Sequence, residues 1–456
     1  MQENKNDLGT APVGKLLFRL AIPTLVAQLI NMLYNIVDRI YIGHIPEVGK
    51  LALTGLGVCM PLIMIVSAFA AMAGGGGAPR ASIFMGKGQN EDAEKTMAGC
   101  FSLLCIIAAV LTGVLLIFSE DLLLAFGASS DTIGFAVDYM NIYAIGTLFV
   151  QLTLGMNAFI TAQGFAKQGM LSVLIGAVCN IALDPIFIFG LGMGVKGAAL
   201  ATIISQAASA TWVLLFLTGK TTVLKLRVKN LNLKPAIIFP CVALGMATFI
   251  MQSTESVISV CFNTSLQKYG GDVAVGAMTI LTSVMQFAML PMQGIGQGAQ
   301  PIMSFNYGAG DAGRVKKTFR LLLTVSLSYS LVIWACIMLM PGVFAGIFTP
   351  DAELLDFTAK ALRIYCAGLG LFGIQIACQM AFVSLGQALC SMTVAIMRKF
   401  VLLLPLIYLM PSLVSDKTMG VYMAEPVADV LAVTFTAILF FFVFRKAMKK
   451  LEEKIG

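Results

Sequence analysis

In the stretch NIALDPIFIF, Asn180 and Asp184 stand one helical turn apart, and Pro185 releases the backbone carbonyl one turn earlier from its helical partner. A carboxylate, an amide oxygen and a freed carbonyl are hard ligands suited to a hard cation, and a buried carboxylate there is equally suited to take up a proton. The plainer alternative is that Asp184 only caps or pairs at a helix end. A second carboxylate closes a stripe: Gln28, Asn31, Asn35 and Asp38 recur at steps of three, four and three, which at about 100° per residue confines them to one narrow helix face. Arg39 points about 100° away from Asp38, and its expected reach outward sets Asp38 toward the outer leaflet. Gln252, Ser256, Ser259 and Asn263 repeat the pattern with Glu255 one position off it. Gln286, Gln293, Gln297 and Gln300, flanked by Met285, Met289 and Met292, form a third set, and Gln375 and Gln379 a fourth. A single Gln or Ser of this kind serves equally well as interhelical glue. Four aligned sets are the expected lining of a cleft, with flexible methionines that tolerate varied apolar ligands.

These residues are embedded in segments that only lipid can surround. Of 456 residues, 58% are hydrophobic and 12% charged, and the mean hydropathy is +0.90, more apolar surface than one aqueous core can hide. Twelve stretches reach the roughly 20 residues that a membrane crossing demands: 16–43, 51–74, 96–118, 134–161, 168–190, 195–218, 235–262, 272–296, 317–341, 356–384, 389–411 and 420–446. Within them charge is scarce, and Asp38, Asp184 and Glu255 are the candidates for function. Lys and Arg concentrate in alternate loops and at both ends, so both termini are expected in the cytoplasm. The net charge of +7 is thereby assigned to the membrane surface, with no nucleic acid as partner. The first fifteen residues are polar and lack the pattern of a secretory signal. Ten cysteines form no CxxC pair, the lone His44 falls in a loop, and no resident cofactor is expected. The run Ala73-Gly-Gly-Gly-Gly-Ala-Pro79 lacks the Gly-Lys-Ser/Thr of a phosphate loop and is read as a close-packing or bending element at the end of a span.

The two halves repeat. Laying Gly76-Gly-Ala-Pro79 over Gly298-Ala-Gln-Pro301 sets an offset of 222 positions, and Ser82, Gly86, Gly88, Lys95, Thr96 and Gly164 then meet Ser304, Gly308, Gly310, Lys317, Thr318 and Gly386. Six spans per repeat make the halves parallel, related by an axis along the membrane normal, with cargo expected near mid-membrane between them. The divisions are a tail at 1–15, an N-lobe at 16–218, a basic linker at 219–234, a C-lobe at 235–446 and a tail at 447–456.

The chain resembles the bacterial multidrug and toxic compound extrusion (MATE) transporters. The resemblance rests on AIPTLVAQLINMLYNIVDRIYIG, GMNAFITAQG, NIALDPIFIFGLGMGVKGAALATIISQ and the paired GAPRASIFMGKG and GAQPIMSFNYGAG loops. It implies an all-α, V-shaped membrane protein of two six-helix lobes. It also implies export of lipophilic, often cationic compounds in exchange for Na+ or H+, by a monomer in contact with membrane lipids of the bacterial inner membrane. Carried over, the family's N-lobe ion site falls on Asp38, Asn180, Asp184 and Thr202, with Asn157 as a polar neighbour. One branch adds an acidic pair in the C-lobe; Glu255 matches one member, but the tenth span carries no carboxylate, which favours coupling through the N-lobe. The rivals are a flippase for lipid-linked sugars, which needs a cationic cavity, and a membrane enzyme or receptor, for which no Ser/His or metal-ligand arrangement stands in the spans.

Overall fold

A computed structural model describes residues 7–231 and 233–453, and among these there is no strand. The first lobe holds α1 (Val13–Gly43), α2 (Gly49–Gly86), α3 (Asn90–Ala125), α4 in two arms (Ile133–Ile145 and Thr147–Ala162), α5 (Ala166–Pro185, prolonged by a π turn at Ile186–Gly190) and α6 (Val195–Thr218). A helical stretch of 74 residues, Pro235–Gly308, breaks at Gly271 (φ 63°) into α7 (235–270) and α8 (272–308). There follow α9 (Ala312–Leu339), α10 in two arms (Ala352–Tyr365 and Phe372–Ser384), α11 (Ala388–Leu413) and α12 (Lys417–Glu452). Each lobe thus has six crossings.

The repeat is written in the backbone. Gly88 and Gly164 adopt φ of 75° and 91°, and their mates Gly310 and Gly386 adopt 86° and 69°. All four stop a helix in the left-handed region, where only glycine sits without strain. The bends correspond as well. The arms of α4 meet at 58° around Gly146 and those of α10 at 44° near Gly368, again 222 positions on. One expectation is corrected: the glycine run at 74–77 ends no helix. It continues inside α2 to Gly86, because its missing side chains let another helix close on it. A methyl on Gly76 would overlap the Cys241 carbonyl of α7, and a methyl on Gly245 that of Met72.

Packing locates the opening. On the side of the basic loops the two lobes share one apolar core, in which Leu16, Leu20, Met97 and Phe159 join Ile302, Met303, Phe382 and Phe440. Toward the other side there are two separate cores, around Leu56, Tyr139 and Tyr143 in the first lobe and Phe262, Tyr365 and Tyr422 in the second. The lobes therefore diverge on the side opposite the basic loops. The closed side is latched: Arg314 donates to the carbonyls of Leu8 (3.0 Å) and Ala11 (2.8 Å), and Asn306 donates to Leu8 at 2.9 Å. The linker is also fixed, since Gln163 Oε1 accepts from Thr222, Val223 and Leu224 at 2.7 to 2.9 Å and Glu94 accepts from Lys225 at 3.0 Å.

Candidate functional site

The π turn after Pro185 and the proximity of α1, α5 and α6 bring the first site together. Asp38, Asn180 and Asp184 are 8%, 1% and 0% exposed. The carboxyl groups of Asp38 and Asp184 adjoin each other, and Asn180 Nδ2 donates to Asp184 Oδ1 at 3.4 Å. Tyr139 of α4 and Tyr34 lie within electrostatic reach of Asp38, and Thr202 Oγ1 donates to the Ala198 carbonyl one turn back at 3.0 Å. Three oxygens, Asp38 Oδ1, Asn180 Oδ1 and Asp184 Oδ2, are buried with no donor among the described residues. Buried acceptors are costly when unpaired, and two adjoining carboxylates repel unless positive charge is shared between them. The chemistry of this donor set fits a small hard cation or a proton.

Asn157 is corrected as a member of that group. It donates to the Gly169 carbonyl at 3.3 Å, and Gly169 lies eleven residues before Asn180, or about 16 Å along α5 at the usual helical rise.

The stripes divide by height. Asn31 and Gln28 are partly buried, and Gln28 donates to Gln297 across the lobes at 3.4 Å, marking the floor where α1 and α8 close. Above it Asn35, Gln252, Ser259 and Gln286 are exposed, and Ser256 reaches Met64 of α2 at 3.7 Å. Gln293 is half-buried near the floor. Four residues read as cleft lining are placed otherwise. Met285 and Met289 pack on the C-lobe core, where Met285 sulfur meets Cys366 at 3.7 Å. Gln375 and Gln379 are buried inside the C-lobe, and Gln379 donates to Ser391 Oγ at 2.8 Å, tying α10 to α11. For Gln379 the glue reading holds: alternate turns of a bundled helix face its own lobe as readily as a cleft.

The C-lobe also holds a charged group that the spans concealed. Arg398 and Lys399 lie on a π turn of α11 (Met397–Leu403), and Glu425 and Asp429 lie one turn apart on α12. Arg398 donates through Nε to Asp429 at 3.0 Å and through Nη2 to Glu425 at 3.0 Å and Asp429 at 2.8 Å. Its guanidinium carbon stands 4.8 Å from the Phe372 ring centre. Lys399 donates to Glu255 at 2.6 Å. The signal that finds them is charge inside an otherwise apolar span.

The comparisons with known proteins agree with this architecture. The MatE family model matches twice, over residues 23–186 and 247–409. Among curated relatives, the multidrug export protein MepA of Staphylococcus haemolyticus is 24% identical over 404 residues, and that of Staphylococcus aureus 24% over 411; in both pairings 88% of each chain is covered. Among solved structures, MATE in a bent conformation superposes with a TM-score of 0.91 at 22% identity, covering 100% of this chain and 99% of that one. An outward-facing multidrug resistance MATE transporter gives 0.89 at 22%, with 99% of each covered. A MOP superfamily transporter from Pyrococcus furiosus, described by the reverse polarity of its binding pocket, gives 0.89 at 22%, with 99% of each covered. With its family model matched once in each lobe over most of its length, this multi-pass membrane protein belongs to the MatE family of transporters.

Proposed function

We propose that the chain exports lipophilic, chiefly cationic organic compounds from a bacterial cell by alternating access, in exchange for Na+ or H+ bound at Asp38, Asn180, Asp184 and Thr202. The observation that carries this reading is the set of three buried acceptor oxygens without donors, one on each of Asp38, Asn180 and Asp184. An incoming cation is the partner such a set lacks, and its differential affinity for the two facing states supplies the coupling. The protein acts as a monomer in the inner membrane, among its lipids, with both termini cytoplasmic as the basic loops dictate, so the cleft described above opens outward.

The flippase reading is disfavoured by charge. Glu255 opens to solvent while the nearby Arg398 and Lys399 are buried in ion pairs, the opposite of a cationic cavity for pyrophosphate. The names of the MepA relatives point the same way.

Ethidium efflux from proteoliposomes, under Na+ and pH gradients imposed separately, tests the proposal. One gradient is expected to drive efflux in the wild type and to fail in Asp38→Asn and Asp184→Asn. Normal gradient-driven rates in those variants, correctly inserted, would show the reading to be wrong.

A further inference from the structure

The first, fifth and sixth helices of each lobe make a charged corner. In the N-lobe that corner holds two carboxylates, Asp38 and Asp184, with no ion pair among the described residues, and Arg39 lies within electrostatic reach of Asp38. In the C-lobe α7, α11 and α12 hold three carboxylates, Glu255, Glu425 and Asp429, and two cations, Arg398 and Lys399. Counted with every group ionised, the cluster is one negative charge in excess.

Its two cations are held differently. Arg398 is immobilised by contacts to two carboxylates and by the Phe372 ring. Among the described residues Lys399 has one ionic contact, to Glu255 Oε2 at 2.6 Å, on a flexible four-carbon stem. Lys399 is 6% exposed and Glu255 55%. A half-exposed carboxylate midway along a membrane-spanning helix is costly against lipid, so its open side belongs to the water-filled cleft, beside the exposed Gln252 and Ser259. Glu425 lies within electrostatic reach of both Lys399 and Glu255. The lysine therefore has a second place to go.

We propose that Glu255 is a cation-exchange subsite for cargo: the positive group of a lipophilic organic cation replaces the Lys399 ammonium at Glu255, and Lys399 shifts to the excess negative charge at Glu425 and Asp429. Lys399 is then a tethered competitor that keeps cation affinity moderate and restores the pair when cargo leaves. Cargo brings the cluster from one negative charge in excess to neutral, and Glu255 has a positive partner both before and after the exchange. The inference rests on the exporter reading for the class of cargo, but binding tests it without transport.

The experiment is equilibrium binding of tetraphenylphosphonium to the full chain in detergent, with the neutral probe N-phenyl-1-naphthylamine alongside. Lys399→Gln is expected to bind the phosphonium about tenfold tighter and Glu255→Gln about tenfold weaker than wild type, the scale of one charge pair gained or lost. The neutral probe is expected to bind all three alike. Equal or weaker phosphonium binding by folded Lys399→Gln overturns the proposal. Should that variant fail to fold, Glu255→Gln decides: a loss confined to the cation supports the subsite, and unchanged affinity overturns it. Efflux measured in parallel separates the two readings. Exchange binding without efflux keeps the subsite and removes the exporter; efflux without exchange binding does the reverse.

Discussion

Gly86 and Gly308 meet the opposite lobe reciprocally: a methyl on Gly86 would overlap the Phe305 carbonyl, and one on Gly308 would overlap the carbonyl of Ile83, the repeat mate of Phe305. The pseudo-twofold axis passes through this crossing of α2 and α8. Helices that approach backbone to backbone cannot yield to a side chain by changing a rotamer, so the whole crossing must shift. Gly86→Ala and Gly308→Ala are each expected to cost about 1–3 kcal/mol through overpacking. Gly113→Ala, which adds its methyl to open space within α3, is expected to be neutral or to gain up to about 1 kcal/mol from helix propensity. Thermal unfolding in detergent orders the three variants, and equal melting of Gly86→Ala and Gly113→Ala would contradict the close crossing.

Arg398 supplies the charge that lets Glu425 and Asp429 remain buried. Arg398→Met leaves both carboxylates without it, and breaking a buried pair from one side typically costs about 3–5 kcal/mol. The triple variant Arg398→Met, Glu425→Gln, Asp429→Asn removes the charge on both sides and is expected to recover more than half of that loss. Arg398→Lys is expected to recover little, because an ammonium cannot span two carboxylates and lie against Phe372 as the planar guanidinium does. Melting of the four proteins by size-exclusion chromatography after heating provides the comparison; a triple variant no better than Arg398→Met would refute it.

Much of this was legible in the sequence because lipid imposes simple rules. Apolar length placed twelve crossings, and glycines at a fixed offset announced the two parallel lobes, since each such glycine marks a backbone turn or crossing that both halves need. Asp38, Asn180 and Asp184 were readable from helical spacing alone. Depth within the bundle was not readable. Gln379 and Gln286 look alike on a helical wheel, yet one ties α10 to α11 and the other is exposed, because the choice depends on which neighbouring helix covers the face. Arg398, Lys399, Glu425 and Asp429 escaped for another reason: averaged over a span, two charges hardly lower the hydropathy. That they neutralise one another becomes visible only when α11 and α12 are brought together.

Gln163 holds the linker by one atom. Its Oε1 accepts from Thr222 Oγ1 (2.8 Å) and from the backbone N–H groups of Val223 (2.9 Å) and Leu224 (2.7 Å). Gln163→Ala leaves the backbone N–H groups of Val223 and Leu224 without that acceptor, while Thr222 Oγ1 keeps the Leu224 carbonyl at 2.8 Å, so the segment carrying Lys220, Lys225, Arg227 and Lys229 is expected to open more often. Limited trypsin digestion of the detergent-solubilised protein should then cut between the lobes about tenfold faster, the factor corresponding to about 1.4 kcal/mol of local stability. Gln163→Glu keeps the accepting oxygen and is expected to stay near the wild-type rate. Identical cleavage of all three proteins would mean that the linker is held by other contacts, such as those of Glu94.

Asp184 sets stability against function. Its carboxylate adjoins that of Asp38 and accepts from Asn180 Nδ2, while Asp184 Oδ2 and Asn180 Oδ1 lack donors among the described residues, an arrangement that folds at a cost and is relieved when positive charge arrives. Asp184→Asn is nearly isosteric, removes one of the two charges and brings two N–H donors toward orphaned acceptors. It is expected to raise the stability of the ion-free protein by about 1 kcal/mol, the usual net value of one satisfied hydrogen bond. The wild type is expected to gain stability as its coupling cation is added, because a ligand bound only by the folded state stabilises it by mass action. In Asp184→Asn that response should be flat, together with loss of coupled efflux. Melting curves recorded across Na+ concentration and across pH supply the check. A variant that melts below the wild type without ions, and still climbs as they are added, would place the coupling ion elsewhere in the molecule.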